Sequence, residues 1–463
     1  MARTPLQRNA EGEPQRRANG LRENPAGKRA APLTQGGRCV ALLLVVLLFT
    51  SSIHVAGFQM SVTNALDELN RGNVFEAIRE LKLTLAENPQ ANFYLSGIYT
   101  RMGRYDAAYR YLSSAIQSNP QQAAYYDQLG LIRRYEGCRP EAMAAFRHAL
   151  KLGMKDEEAT LWRHIGEVHV DLLEWNKAME AFRNALRLRA GDAAAHLALG
   201  RIYLDRNDPT MALVELRAAL EITPALPGLH AALGRAYRTA GDSESAIAIL
   251  RKGIEHDSSD QESRYILAQT LLAAGRVKDG RQLLDDYQQL QQRITQTNAI
   301  FEAGVDRAEA GDLAEAERTL RDALKLAPRY APALQTLGTV LLDRAKVQPA
   351  LEVFRQSLAV NPLNSETYFN MGEAYLRLGN LNDALEMTQK ALVIDEEDAR
   401  FYTQLGEIYS RSSRPDQSRA ALEKAAEVRS RPRDRQRDRY RSEARRRDDA
   451  TTVREICGGP PAP

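Results

Sequence analysis

The side chains with the widest chemical range in this sequence are its seven histidines, because imidazole both binds metal ions and transfers protons near neutral pH. His164 and His169 are five positions apart, so they would not share one face of a helix well. No HExxH, GxSxG, CxxC or P-loop motif occurs in the sequence. We therefore expect no catalytic residue, no metal site, no cofactor and no small-molecule substrate, and we predict that the protein is not an enzyme.

A set of charged residues offers a binding chemistry instead: Arg201, Arg235, Arg238, Glu373 and Glu407. Four of them directly follow a glycine, and Arg238 stands about one helical turn after Arg235. An arginine guanidinium can hold a carboxylate through paired hydrogen-bond donors. We predict that these residues bind an extended protein or peptide that carries acidic groups opposite the arginines and basic groups opposite the glutamates. The alternative is a solvated face that binds no partner.

The elements that must position these residues follow a repeated pattern, which is clearest in residues 192–225. Apolar residues around Gly200 recur at helical spacing, and a second helical pattern runs from Ala212 through Leu216 until Pro224 stops it. The small Gly200 and Ala212 allow the two helices to approach closely. Such a hairpin cannot bury its apolar face alone, so it needs neighbours of the same kind.

Those neighbours follow at a period of about 34 residues. The period is marked by the small residue that opens each second helix: Ala77, Ala108, Ala142, Ala178, Ala212, Ala246, Gly280, Ala316, Ala350, Ala384 and Ser418. The ten steps from the first marker to the last span 341 residues. The first-helix glycine recurs as well: Gly130, Gly166, Gly200, Gly234, Gly304, Gly338, Gly372 and Gly406.

With this period and these recurring Leu-Gly, Tyr, Ala, Phe and Pro positions, residues 58–430 resemble the tetratricopeptide repeat family. The resemblance implies an all-α fold, a right-handed superhelical solenoid of about eleven helix-turn-helix repeats. It also implies that the first helices line a concave face, into which the residue after each first-helix glycine points. The five charged residues would then lie in this groove. The family serves many unrelated functions, so the resemblance does not identify the partner.

The repeats divide into two predicted groups, repeats 1–7 over residues 60–296 and repeats 8–11 over residues 297–430. The seventh repeat is the most divergent, and no Gly or Pro interrupts residues 281–302. Its second helix should therefore continue beyond the usual length, and regular repeats should resume from Asn298. One interpretation is a seam between subdomains near residues 293–297, and the other is a divergent repeat within one solenoid.

Three segments flank the repeats. Residues 1–38 and 431–463 are rich in arginine and other polar residues, and we expect both to be disordered. Residues 39–59 contain the apolar run VALLLVVLLF and are long enough to cross a bilayer as a helix. Because Lys and Arg are in excess before this segment, the N-terminus should stay in the cytoplasm and the repeats should be exported, which in a bacterium places them in the periplasm. Secretion after cleavage of a signal peptide is the alternative.

The distribution of charge bears on the class of partner. The whole chain has 63 basic and 60 acidic residues. Residues 1–38 contain eight basic and three acidic residues, and residues 429–463 contain eleven and six, which leaves 44 basic and 51 acidic residues between them. The repeats are therefore acidic overall, and binding of nucleic acid would have to depend on the arginine-rich tail alone.

These observations favour a non-enzymatic protein-interaction scaffold that is exported across a membrane and tethered to it. In bacteria, exported proteins of this kind support envelope complexes such as pilus or polysaccharide secretion machinery. A cytosol-facing adaptor or import receptor at an organelle membrane is the alternative. Some family members bind acidic C-terminal peptides through a carboxylate clamp of five residues. The residues at those five positions here are Gln335, Thr339, Asn370, Arg400 and Gln404, and only two of them are of a suitable type.

Overall fold

The computed structural model describes residues 59–85, 88–153 and 157–430. Within these ranges the chain forms 21 α-helices and no β-strand. In chain order the helices are α1 (Gln59–Asn70), α2 (Val74–Leu83), α3 (Gln90–Arg101), α4 (Tyr105–Ser118), α5 (Ala123–Tyr135), α6 (Arg139–Leu152), α7 (Glu158–Asp171), α8 (Trp175–Leu188), α9 (Ala193–Asp205), α10 (Pro209–Ile222), α11 (Leu229–Thr239), α12 (Ser243–His256), α13 (Gln261–Ala273), α14 (Val277–Glu309), α15 (Leu313–Leu326), α16 (Ala331–Asp343), α17 (Val347–Val360), α18 (Ser365–Arg377), α19 (Leu381–Ile394), α20 (Ala399–Arg411) and α21 (Pro415–Ser430).

The helices pair as hairpins, which confirms the predicted all-α helical repeat solenoid. Because α14 serves two hairpins, the described helices make eleven of them. The turn inside each hairpin contains one residue with a positive φ. That residue is glycine in seven turns, as the sequence pattern requires, because glycine adopts this backbone conformation without a steric penalty. The other four turns have Leu173, Asn207, Ala345 and Ser413 there.

Seven of the described hairpins close where the first-helix glycine faces a phenylalanine or leucine of the second helix. A Cβ at Gly130 would lie 2.5 Å from Cδ1 of Phe146, and a Cβ at Gly200 would lie 2.5 Å from Cγ of Leu216. Both separations are well below van der Waals contact, so the site accepts only glycine without rearrangement. Phe146 and Leu216 are fully buried. The recurring glycine of the Leu-Gly pattern is thus explained by this close approach of two helices.

The helix α14 is the main departure from the regular repeat. It runs without interruption for 33 residues, replacing both the second helix of repeat 7 and the first helix of repeat 8. The predicted continuation of the repeat 7 helix is confirmed, and α14 runs on into the first helix of repeat 8 with no turn between them. The repeat expected from Asn298 closes as a regular hairpin, because a Cβ at Gly304 would lie 2.8 Å from Cδ2 of Leu320. None of the residues 281–296 is buried. The middle of α14 is therefore held by its own backbone hydrogen bonds more than by packing.

The described residues form two compact units. One contains Arg293–Pro362 and Glu373–Asn380, and the other contains residues 59–292, Leu363–Gly372 and residues 381–430. The grouping of repeats into residues 60–296 and 297–430 stays a prediction. The predicted disordered segments lie outside the described residues, and so does the predicted membrane segment apart from Gln59. Among the helices described, none is both long and apolar enough to span a bilayer.

Limited proteolysis should test the exposed middle of α14. We expect the first cut within the repeats to fall in residues 285–297, before any cut in residues 193–258, because local opening is easiest where little side-chain packing is lost. A digestion time course followed by mass spectrometry would locate these cuts. Equal resistance of the two stretches would show that α14 is as stable as the regular repeats.

Candidate partner-binding surfaces

The first helices of consecutive repeats lie side by side within the larger unit. Helix α3 contacts α5, α5 contacts α7, α9 contacts α11, and α11 contacts α13. Between α7 and α9 the link is an ion pair, with Arg163 of α7 lying 3.5 Å from Asp192, the N-cap residue of α9. We call the residues of α5, α7, α9, α11 and α13 that are not buried the first-helix surface. Surfaces of this kind are where repeat proteins present extended binding sites.

In repeats 3 and 4, ion pairs join the first helices to each other. Arg134 on α5 lies 2.6 Å from Asp171 on α7 and also pairs with Glu167, which in turn accepts a hydrogen bond from Arg163 at 2.7 Å. Burial alone would lower the pKa of Arg134, but Asp171 and Glu167 together raise it above its usual value. The charges in this part of the first-helix surface are thus matched within the chain.

The three predicted arginines lie on the neighbouring helices α9 and α11. Arg201 is exposed on α9. On α11, Nη2 of Arg235 is 3.6 Å from the carboxylate of Asp205, and both side chains are more than 40% exposed. Arg238 donates a hydrogen bond to Gln269 of α13. The arginines therefore occupy adjoining helices of the first-helix surface, and the contact with Asp205 is longer than a hydrogen bond.

The two predicted glutamates each pair with an arginine one turn later on the same helix. Glu373 accepts a hydrogen bond from Arg377 at 3.0 Å, and Glu407 accepts one from Arg411 at 2.6 Å. Such exposed pairs contribute little to stability. Glu373 belongs to the smaller compact unit, whereas Glu407 and the arginines at 201, 235 and 238 belong to the larger one. A single groove containing all five residues stays a prediction.

A second surface, which the sequence analysis missed, lies on repeats 1 and 2. We call it the basic-aromatic surface, and its residues are Lys82, Tyr99, Arg104, Arg110 and Tyr111. It binds the acidic loop, residues 395–398, that connects α19 to α20 in the same compact unit.

The charged contacts of this second surface are specific. Nζ of Lys82 lies 2.8 Å from one carboxylate oxygen of Glu396, and the hydroxyl of Tyr111 donates to the other. Burial lowers the pKa of Lys82, although Glu396 opposes the shift. Burial alone would raise the pKa of Glu396, but Lys82, Tyr111 and Arg110 bring it below its usual value. The run of four acidic residues was the one visible sign in the sequence, and it gave no indication of where the loop would bind.

The repeats match known family models over much of their length. Four family models, each described as tetratricopeptide repeat, match residues 62–123, 95–285, 365–398 and 399–431. The chain belongs to the tetratricopeptide repeat family. No curated protein sequence matches it. Tetratricopeptide repeats generally bind protein partners.

Solved structures similar to this tetratricopeptide repeat protein include those of three different proteins. MamA 41-end from Desulfovibrio magneticus RS-1 is 22% identical, with a TM-score of 0.26 over 44% of this chain and 96% of that chain. PilW, a widely conserved type IV pilus biogenesis factor, is 20% identical, with a TM-score of 0.40 over 43% and 92%. The P58(IPK) TPR domain is 16% identical, with a TM-score of 0.25 over 81% and 99%. At these identities the similarity is one of fold alone.

The positions of the carboxylate clamp seen in some tetratricopeptide repeat proteins are engaged within this chain. Arg400 donates to Glu366 at 2.7 Å and also pairs with Asp398. Gln404 is buried, and its side-chain carbonyl accepts a hydrogen bond from Thr388 at 2.7 Å. These two residues therefore support the packing of repeats 10 and 11.

Histidines of the repeats also make structural contacts. Nδ1 of His164 lies 2.7 Å from Asp127, and Nδ1 of His196 lies 2.6 Å from Glu215. Burial and the neighbouring His256 lower the pKa of His230. In the part of the chain that the structure describes, no three His, Cys, Asp or Glu side chains are grouped to hold a metal ion.

Proposed function

We propose that this protein is a non-enzymatic scaffold that binds an extended protein partner along its first-helix surface. The observation that carries the proposal is the placement of Arg201, Arg235 and Arg238 on the adjoining helices α9 and α11. Arg201 is exposed, and Asp205 stands 3.6 Å from Arg235 while remaining about half exposed itself. By contrast, Arg134 in the preceding part of the surface is held closely by two carboxylates of the chain. The positive charge on α9 and α11 suits an acidic partner segment.

The same proposal places the scaffold in a cell envelope. The support is the sequence of residues 39–59, which is apolar over the length of a bilayer and follows a basic segment. An exported, tethered scaffold of this kind would support assembly of an envelope complex, such as pilus or polysaccharide secretion machinery. The test is fractionation with protease accessibility of the repeats. If the repeats are digested only after the outer membrane is permeabilised, the result supports a periplasmic location. If they are digested from the cytosolic side, it supports an adaptor at an organelle membrane.

Reversing the arginine charges should weaken partner binding. After affinity capture of the partner with the exported repeats, we expect Arg201→Glu combined with Arg235→Glu to lower affinity about tenfold or more, with much of the loss in the association rate and its salt dependence. Binding would be measured by surface plasmon resonance at two salt concentrations. Circular dichroism should show unchanged helix content, because both residues lie at the surface.

The matched control is Arg187→Glu, an exposed position on the second helix α8. It changes net charge by the same amount per substitution without touching the first-helix surface, so we expect little effect on affinity. Unchanged affinity in both the double variant and the control would assign binding to another face and overturn the site.

A further inference from the structure

We propose that the basic-aromatic surface of repeats 1 and 2 is a binding site for an acidic peptide segment of a partner protein, and that the acidic loop occupies it as an internal competitor. The expected ligand has two apolar residues followed by three acidic residues, as in the sequence Val-Ile-Asp-Glu-Glu of residues 393–397. This site is separate from the first-helix surface, so its test does not depend on the function proposed above.

The first argument is that the surface contacts the main chain at the end of α19 as well as the side chains of the acidic loop that follows it. Nη1 of Arg104 donates to the carbonyl of Ile394 at 2.6 Å, and the hydroxyl of Tyr99 lies 3.2 Å from the same oxygen. Arg104 also pairs with Asp395. Together with the contacts to Glu396 and Glu397, these bonds define the position and direction of a bound acidic segment, which is the requirement for peptide recognition.

The second argument is that repeats 1 and 2 hold the surface in place. The rings of Tyr99 and Tyr111 are parallel, with centroids 5.4 Å apart. The Arg104 guanidinium lies 5.7 Å from the centroid of the Tyr99 ring, and Nζ of Lys82 lies 5.9 Å from it, so the ring faces attract both cations. Val393 packs against the apolar core of the same two repeats. The site therefore has an apolar end and a cationic end.

The third argument is that the loop contact differs from the contacts that build a repeat array. Repeats ordinarily contact their neighbours, about one period away, whereas Lys82 and Glu396 are 314 residues apart. The acidic side chains keep 22% to 35% of their surface exposed. Ion pairs that reach solvent are individually weak and are screened by salt. Lys82 is more enclosed, with 14% of its side chain exposed, whereas Arg110 is 38% exposed. A free acidic peptide could therefore compete with the loop for these cations.

The consequence is a reduced apparent affinity for the partner. A loop tethered to its own site acts at a high effective concentration, and the apparent dissociation constant rises in inverse proportion to the fraction of sites that are vacant. Removing the charges of the loop should increase that fraction and should tighten binding of an acidic peptide from outside.

The experiment uses a fluorescein-labelled peptide with the sequence of residues 391–399, ALVIDEEDA, titrated by fluorescence anisotropy. The proteins are the wild-type full chain and a loop variant carrying Asp395→Asn, Glu396→Gln and Glu397→Gln. We expect the loop variant to bind the peptide at least tenfold more tightly than the wild type at low salt. A control peptide, ALVINQQNA, should bind neither protein.

Two further variants, made in the background of the loop variant, locate the bound peptide. Lys82→Met with Tyr111→Phe should abolish binding, and the milder Arg110→Glu at a more exposed position should weaken it at least fivefold. Arg101→Glu on the exposed side of α3 is the charge control and should leave affinity unchanged. Thermal melting monitored by circular dichroism verifies that each variant folds.

The proposal is overturned if the loop variant binds the peptide no better than the wild type, or if Arg110→Glu leaves the affinity of a folded protein unchanged. Peptide binding that is lost instead through Arg201→Glu with Arg235→Glu would also overturn it, because the ligand would then occupy the first-helix surface. That last outcome would leave the function proposed above intact.

Discussion

Replacing Ala212 by leucine should destabilise the protein by about 1 to 3 kcal/mol, the usual cost of adding bulk to a packed interior. Ala212 on α10 is fully buried. Its carbonyl oxygen lies only 3.4 Å from the position that a Cβ of Gly200 would take, and Leu216 already fills the adjacent space. The two helices must therefore separate, or buried side chains must leave their rotamers, before a leucine can fit. Urea denaturation of the variant and the wild type measures the loss.

Two controls distinguish over-packing from a general effect of leucine. Val214→Leu adds bulk on the same helix at a side chain that is 57% exposed, so it should change stability by less than about 0.5 kcal/mol. Hydrogen exchange of the Ala212→Leu variant should show lost amide protection concentrated in the altered repeat and its neighbours, because repeat proteins couple nearest neighbours. An even loss across all described repeats would contradict this account.

The second large effect is expected at Glu317, a buried carboxylate of the smaller unit. Glu317 on α15 accepts hydrogen bonds from Lys346 at 2.8 Å, from Arg321 at 3.1 Å and from Arg344. Hydrogen bonds to a charged group contribute about 1.5 to 3 kcal/mol, and Glu317→Gln leaves three cations around a neutral amide. We expect a loss of about 2 kcal/mol at pH 7, measured by chemical denaturation. Glu352→Gln, which alters an exposed pair with Arg355, is the matched control and should cost little.

The pH dependence gives an independent check on Glu317. Burial alone would raise its pKa, but Lys346 and Arg321 lower it below the ordinary value of 4.5. Because the folded pKa is the lower one, the stabilisation is complete above the unfolded pKa and is lost as pH falls through the folded pKa. The wild type should therefore lose stability below about pH 4.5, and Glu317→Gln should lose less over the same range. Parallel pH profiles would show that the carboxylate does not carry this stabilisation.

The hairpins were predictable from the sequence because their contacts are local. Gly130 and Phe146 are sixteen residues apart, and the helical periodicity alone brings them to one interface. The long α14 was only partly predictable. The absence of Gly and Pro indicated a longer helix. Whether the turn before repeat 8 would be lost depends on how α14 packs against the neighbouring helices. The binding site of the acidic loop was not predictable from the sequence. Its contact with Lys82 depends on the path of the many intervening repeats.

The position of the arginines at 201, 235 and 238 was also predictable only in part from the sequence. Their spacing after the first-helix glycines was sufficient to predict that they share neighbouring helices. Which groups of the chain would reach them, such as Asp205 and Gln269, depends on side-chain conformations that periodicity does not encode. A sequence pattern therefore locates a candidate face, whereas the degree to which its charges are matched is visible only in the folded chain.

The distance along the chain between Lys82 and Glu396 also separates them in time. A ribosome adds about 5 to 20 residues per second, so the 314 residues between them correspond to about 15 to 60 seconds of translation. Throughout that interval repeats 1 and 2 are present without the segment that later covers their cationic surface. An acidic partner that meets the growing chain then encounters no internal competitor, whereas one that meets the finished chain must displace it. The order of synthesis and encounter, as well as affinity, thus determines which complexes form.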